Sequence, residues 1–309
     1  MKNDIKNKHN KKKMDVKIGI IGTGILGNAV GVNLLKSGFN VTAYNRTKKK
    51  TNELKKYGAK IVESPKTVAE NSDVVIIIVK DANVVKKMAF GKNGIVFGNH
   101  NGLAVADMST ISPIESKEIT KKFLEHKIIK LDIPVMGGPN VAITGELVLM
   151  ASGDKKTFNK FNKVFEKIAN QIFYLGDSGT AHLVKLAMNL QITMLALALS
   201  EGITLVRSSK INPKIFLDIL NSTYFKTGMS EKKAYKMIQD GFKPTFTLAN
   251  LKKDISTITK TTKSLGINLP MIKKAEQVYD SALTQGFGDI DYTGILAYIK
   301  KINEQQHNN

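Results

Sequence analysis

One short run constrains this chain more than any other: Gly22-Thr23-Gly24-Ile25-Leu26-Gly27, a G-x-G-x-x-G pattern. It follows a β-branched stretch at 16–21 and precedes a helical pattern that runs to about residue 36. Strand, tight turn and helix in that order give the pattern its meaning. The first glycine permits the turn, the second lets the backbone approach a pyrophosphate, and the third lets helix and strand pack closely. The amides that open the helix, at Ile25 and Leu26, are then placed to hold phosphate oxygens. A dinucleotide-binding unit is the expected outcome, and a glycine-rich loop with no ligand is the bland alternative.

The rest of the chain extends that expectation. Strand candidates follow at 40–45, 61–62, 73–79, 104–108, 128–132, 147–151 and 172–175, and amphipathic stretches at 64–71, 81–90, 112–126 and 155–169 lie between most of them. This alternation predicts right-handed βαβ units and a mostly parallel sheet. After Gly179 the strand signals stop, and helical segments appear at 181–208, 213–221, 230–240, 246–265, 271–285 and 292–302. The first is apolar, yet it carries Lys185, Asn189, Gln191 and Glu201, so it reads as a buried central helix rather than a membrane span. The predicted organisation is a Rossmann-like α/β domain at 16–178 and an all-α domain for substrate and dimerisation at 179–309. A basic, disordered tail at 1–15 precedes them.

Charge and cysteine usage exclude several classes of function. The 309 residues include 47 Lys and Arg against 26 Asp and Glu, a formal charge of +21. Only Arg46 and Arg207 are arginine, whereas nucleic-acid readers favour Arg for bidentate contacts. The lysine excess therefore reads as solvated surface and codon composition. Absence of cysteine removes disulfides, thiolate zinc sites and thiol catalysis together. The five histidines show no metal-ligand spacing. The tail lacks an apolar core segment, so no signal peptide is expected and a cytoplasmic enzyme is.

The end of the second strand bears on cofactor choice. An NAD-binding chain typically places an acid there to accept from the ribose hydroxyls. Here the position holds Asn45, then Arg46 and Thr47, with Lys48, Lys49 and Lys50 behind. These side chains donate, and a guanidinium suits a 2′-phosphate, so NADP(H) is expected over NAD(H). A basic loop that tolerates either cofactor is the alternative.

Further segments carry a family resemblance. Asp107-Met108-Ser109-Thr110 resembles a D-x-S-T segment; Asp132-Ile133-Pro134-Val135-Met136-Gly137-Gly138 resembles D-A-P-V-S-G-G. The run from Gly179 to Asn189 resembles G-x-G-x-x-x-K-x-x-x-N, and residues 246–254 (FTLANLKKD) resemble F-x-L-x-x-x-x-K-D. Together they are similar to the β-hydroxyacid dehydrogenases, which include 3-hydroxyisobutyrate dehydrogenase and the glyoxylate and succinic semialdehyde reductases. The resemblance implies Lys185 as catalytic acid/base, with Asn189 holding the lysine or the substrate oxygen. It implies cofactor contacts at Gly22, Gly24, Ile25, Leu26, Gly27, Asn45, Arg46, Thr47, Val79, Thr110 and Lys253. For a carboxylated substrate it implies Ser109, Thr110, Met136, Gly137, Gly138, Phe246 and Asp254.

Spacing supports part of this independently. Lys185 and Asn189 are four apart and share one helical face, at the point where the α/β half ends. A lysine there is an apt proton donor to a developing alkoxide, and burial beside a cationic ring lowers its pKa. Two departures stand out. Met136 replaces the serine of the substrate loop, implying a more apolar pocket, and Ala181 replaces the second glycine of the lysine segment. Met188 stands before Asn189 where phosphogluconate dehydrogenases resemble K-x-x-H-N, which argues against decarboxylating chemistry. The expectation is reversible hydride transfer between nicotinamide and a small hydroxy acid or semialdehyde, in a homodimer or homotetramer with no metal. The rivals are an imine reductase and a catalytically dead scaffold that binds nucleic acid through its lysines.

Overall fold

The computed structural model describes residues 15–307, so the basic tail expected at 1–15 lies, but for Asp15, outside the described residues. The chain forms two compact units. One comprises the residues up to Ser109 together with Lys117–Ala181; the other comprises Thr110–Ser116 and the residues from His182 on.

The first unit begins β1 (Lys17–Ile21), α1 (Ile25–Lys36), β2 (Asn40–Tyr44), α2 (Asn52–Lys56), β3 (Lys60–Ile61), α3 (Pro65–Glu70) and β4 (Val74–Ile77). It continues α4 (Ala82–Phe90), β5 (Ala104–Asp107), α5 (Pro113–Glu125, whose first four residues belong to the second unit) and β6 (Ile129–Asp132). These six strands form one wholly parallel sheet in the order β3-β2-β1-β4-β5-β6. Every residue of β4 and β5 is buried, as a parallel sheet covered on both faces requires. The chain runs outward from β1 to β3, then returns to lay β4 on the other side of β1. That reversal is the point at which open α/β sheets bind ligands, beyond the carboxyl ends of the strands, and the glycine run leaves β1 there.

A second sheet follows, built from β7 (Val135–Met136), β8 (Leu147–Ala151) and β9 (Ala169–Tyr174), with α6 (Pro139–Ala142) and α7 (Lys155–Ile168) between them. β7 runs antiparallel to β8, and β9 runs parallel to it. Burial of Phe158, Phe161, Val164, Phe165 and Ile168 at helical spacing seats α7, each side chain contributing about 1.5–3 kcal/mol. The sequence reading missed β7, α6 and α2, which are two, four and five residues long and too short to show a period. The strand expected at 172–175 starts earlier, at Ala169, directly where α7 ends.

The second unit is helical: α8 (Thr180–Ser208, whose first two residues belong to the first unit), α9 (Pro213–Asn221), α10 (Gly228–Lys232), α11 (Ala234–Met237), α12 (Leu248–Ser264), α13 (Pro270–Thr284) and α14 (Ile295–His307). The single helix expected at 230–240 is two short ones, separated at Lys233, where φ is −112°. Leu186, Ala196, Leu199 and Ile203 share a core with Leu251, Ile255 and Ile258 of α12 and Ile272 and Tyr279 of α13. α8 is long and apolar enough to cross a membrane by length and composition, and only 33% of its most apolar window is buried within the chain. The expected buried central helix is therefore buried along one side, at Ala181, His182, Leu186, Asn189, Thr193, Ala196, Leu199, Ser200 and Ile203, whereas Leu183, Val184, Met188 and Leu205 are exposed.

Candidate active site

The glycine loop fits an anionic, flat-backed ligand such as a pyrophosphate. Gly22 has φ +99°, and a Cβ there would lie 2.1 Å from Ile78 O. A Cβ on Gly27 would lie 2.0 Å from Gly22 O, so these two glycines are demanded by the turn and the packing of α1. At Gly24, by contrast, an added Cβ meets nothing within 4 Å. The third requirement in this loop is therefore open space, as close approach of a ligand needs. No side chain caps α1 at Gly24, which leaves the amide dipoles of Ile25 and Leu26 directed outward. Thr23 Oγ1 is buried and meets no hydrogen-bond partner among the described residues.

At the end of β2 the side chains divide their tasks. Asn45 Oδ1 accepts from Thr23 N at 3.1 Å, and Asn45 Nδ2 donates to Thr47 O at 2.9 Å. Through these bonds Asn45 pins the glycine loop to the end of β2. Arg46 and Thr47 are exposed, as are Lys48, Lys49 and Lys50. Beyond β4, Val79 N donates to Ser109 Oγ at 3.1 Å, and Ser109 N donates to Asp107 Oδ1 at 3.0 Å. Ser109 is thus buried and tied to the sheet through both its amide and its hydroxyl oxygen. The loop past β7 is open: Gly137, at φ +119°, and Gly138 are exposed, with Met136 half-buried before them.

The helical unit gathers the other expected residues. Lys185 is half-buried on α8, and burial pushes its pKa down to about 8, against an upward pull from Asp254 and with a further push from Lys253. Asn189 Nδ2 donates to Asp254 Oδ2 at 2.7 Å, so α8 and α12 are joined through their polar faces. Asn189, expected to hold the lysine or the substrate oxygen, thus gives an amide hydrogen to Asp254. Asp254 is itself buried and ion-paired with Lys253, and burial raises its pKa despite that pairing. Lys253 Nζ also donates to Thr110 O at 3.0 Å, fixing the end of the D-x-S-T segment. Phe246 packs edge-on to Tyr292 at 5.9 Å, half-buried at the head of α12. Sequence reasoning singled out neither Thr23 nor Lys130, a wholly buried lysine beside Asp107 and Asp132. A charge inside the apolar run Ile128-Ile129-Lys130-Leu131 was the only signal of the latter. Among the described residues no group of His, Asp and Glu is arranged to hold a metal ion.

Residues 17–176 match the family described as the NAD binding domain of 6-phosphogluconate dehydrogenase, and residues 179–299 match that described as NAD-binding of NADP-dependent 3-hydroxyisobutyrate dehydrogenase. Glyoxylate/succinic semialdehyde reductase 1 of Arabidopsis thaliana is 30% identical over 285 residues, covering 92% of this chain and 99% of that protein. The 2-hydroxy-3-oxopropionate reductase of Escherichia coli is 29% identical, covering 91% and 96% respectively. A solved 3-hydroxyisobutyrate dehydrogenase from Salmonella typhimurium superposes with a TM-score of 0.84 at 25% identity, covering 92% of this chain and all of that one. With both halves matched and the glycine loop open at Gly24, the chain belongs to the β-hydroxyacid dehydrogenase family of nicotinamide-dependent oxidoreductases.

Proposed function

We propose that this protein is a cytosolic, NADP-preferring dehydrogenase that interconverts a small hydroxy acid and its semialdehyde or keto acid, with Lys185 as general acid/base. The observation that carries the proposal is the state of Lys185, half-buried on α8 with its pKa brought down to about 8. A group that titrates near neutrality can both give and take a proton at working pH.

Gly22, Gly24 and Gly27 shape the loop for the pyrophosphate, the Ile25 and Leu26 amides hold its oxygens, and exposed Arg46 and Thr47 receive a 2′-phosphate. The nicotinamide, when bound, supplies or accepts the hydride. In reduction, Lys185 Nζ gives its proton to the oxygen of the former carbonyl; in oxidation, the neutral amine takes the hydroxyl proton back. Asp254 keeps the ammonium form accessible despite burial, and Asn189 holds Asp254 in place. Lys253 fixes Thr110, while the Gly137 and Gly138 amides and the Ser109 hydroxyl receive the substrate carboxylate. Met136, a thioether where a hydroxyl is usual, presents an apolar wall to the substrate. The names of the relatives favour small aldehyde acids such as succinic semialdehyde or glyoxylate. The exposed apolar side of α8 suits burial against a second copy, giving a homodimer or homotetramer.

The test is purified protein, NADPH or NADH, and a panel of semialdehydes, with Lys185→Ala as control. Turnover by the native protein that Lys185→Ala abolishes is expected. Turnover surviving that substitution overturns the assignment of Lys185.

A further inference from the structure

A lysine with no exposure to solvent is rare, because its ammonium needs either carboxylates or a lowered charge to remain inside. Lys130, in the middle of β6, is such a residue. Its Nζ pairs with Asp132 Oδ1 on its own strand and lies 3.8 Å from Asp107 Oδ2 on β5. Both carboxylates are fully buried, and Asp107 and Asp132 are directly paired across the two strands.

Each carboxylate holds a different part of the candidate site. Asp107 Oδ1 accepts from Ser109 N at 3.0 Å, and Ser109 Oγ in turn accepts from Val79 N at 3.1 Å. Asp132 Oδ2 accepts from Gly179 N at 2.6 Å, from Ser152 Oγ at 2.9 Å and from Ser178 Oγ at 3.2 Å. Gly179 immediately precedes α8, the helix on which Lys185 stands. The ammonium of this hub comes from Lys130 of β6 and its carboxylates from Asp132 of β6 and Asp107 of β5. Thr120 of α5 is bonded to Ser178 at 2.9 Å, and the buried His182 follows three residues after Gly179. The flanking helices carry the buried Ile119 and Phe123, with a buried Ser116, on α5, and the buried Phe158, Phe161 and Phe165 on α7.

We propose that Lys130 is a positioning residue for the reaction: its ammonium keeps Asp107 and Asp132 side by side as carboxylates and so fixes Ser109, the substrate-loop strand and the start of α8 in one arrangement. Two carboxylates on adjacent parallel strands, away from water, repel each other strongly, and without an intervening cation they push apart until the pair takes up a proton. The loss therefore falls on the bonds that they accept from the amides of Ser109 and Gly179. The proposal rests on the dehydrogenase reading above for its activity readout, and on the ion cluster alone for its stability readout.

The experiment compares native protein with Lys130→Met and with Lys130→Met/Asp107→Asn, following kcat/KM for semialdehyde reduction from pH 6 to pH 7.5. Native protein is expected to be flat over that range, because Lys185 remains largely protonated below about 8. Lys130→Met is expected to lose about 30-fold at pH 7.5 and to recover toward pH 6 as the carboxylate pair takes up a proton. The double variant, which leaves a single carboxylate and an amide, is expected to return to within about threefold of native with a flat profile. Native activity and profile in Lys130→Met overturn the proposal. So does a double variant as impaired as the single, or one that fails to fold. A single variant that fails to fold while the double folds and turns over supports it. If native protein reduces no member of the panel, the functional reading fails, and thermal unfolding of the same variants still decides the cluster. In that case Lys130→Met is expected to lose stability as pH rises from 6 to 7.5, and the double variant is not; a single variant with the native pH dependence of unfolding overturns the proposal.

Discussion

Replacing Asp254 by Asn should move the pH profile of the enzyme in a direction that the structure fixes in advance. Burial lowers the Lys185 pKa to about 8, Asp254 opposes that fall, and Lys253 adds to it. The carboxamide of Asp254→Asn keeps an acceptor for the Asn189 amide but removes the negative charge. It also leaves the Lys253 ammonium without its partner carboxylate, which presses further on Lys185. An opposite charge within 4–6 Å typically moves a pKa by about 1–3 units. Lys185 is half-exposed, so solvent screening places the expected change near the low end, about one unit downward. The assay is log kcat/KM against pH for NADPH-dependent reduction and for the reverse oxidation. Reduction needs the ammonium and falls above the midpoint; oxidation needs the amine and rises through it. Both limbs should cross near 8 in the native enzyme and near 7 in Asp254→Asn. At pH 8 the protonated fraction would fall from one half to roughly one eleventh, a loss of about fivefold in reduction beyond any pH-independent effect. An unmoved midpoint, a midpoint displaced upward, or limbs that do not mirror each other would refute the reasoning.

Lys185→Met should abolish turnover yet stabilise the fold. The folded-state pKa of about 8 lies below the ordinary 10.5, so the native charge is penalised in full below pH 8 and the penalty fades between 8 and 10.5. Melting at pH 7 should show a gain of about 1–2 kcal/mol after discounting for partial exposure, and the gain should vanish by pH 10.5. Gly24→Val should melt near native while losing at least about tenfold in NADPH affinity, read by nucleotide fluorescence, because its side chain fills the open face. Gly27→Val should instead destabilise by about 2–4 kcal/mol, since its Cβ is driven onto Gly22 O. Arg46→Asp should reduce the NADPH-to-NADH ratio of kcat/KM by about 10–100-fold, the worth of a charged hydrogen bond; an unchanged ratio removes Arg46 from the cofactor. Leu205→Glu should shift the sedimentation of the protein toward monomer if the exposed side of α8 is a subunit contact.

What could be read from the sequence was what is local. The glycine run, β1, α1 and β2 are contiguous, and each obeys its own period, so both the sheet and the loop were foreseeable from residues 16–45. Lys185 and Asn189 were foreseeable as neighbours because four residues make one helical turn. Their connection to Asp254 was not, since 65 residues separate Asn189 from its hydrogen-bond partner. The same limit explains Asn45. Its residue type suggested a donor to a ligand, whereas its bonds to Thr23 and Thr47 depend on how β2 ends beside the glycine loop. The Lys130 cluster shows the limit most plainly: only strand register brings Asp107 opposite Asp132, and register is invisible before the sheet is built.

Strand order also sets a timetable for the chain as it is made. β1 sits inside the sheet, bonded to β2 on one side and to β4 on the other. β2 leaves the ribosome soon after β1, but β4 is not complete until Ile77 has been added. At about 5–20 residues per second, the edge of β1 that β4 will cover stays open for roughly 2–7 seconds after β2 is complete. Through that interval a nascent chain presents Ile18, Ile20 and Ile21 along an unpaired strand, the kind of edge that captures other chains. Slow codons or low temperature between residues 45 and 74 would lengthen that exposure, and they should reduce the soluble yield of a protein whose finished fold is unchanged.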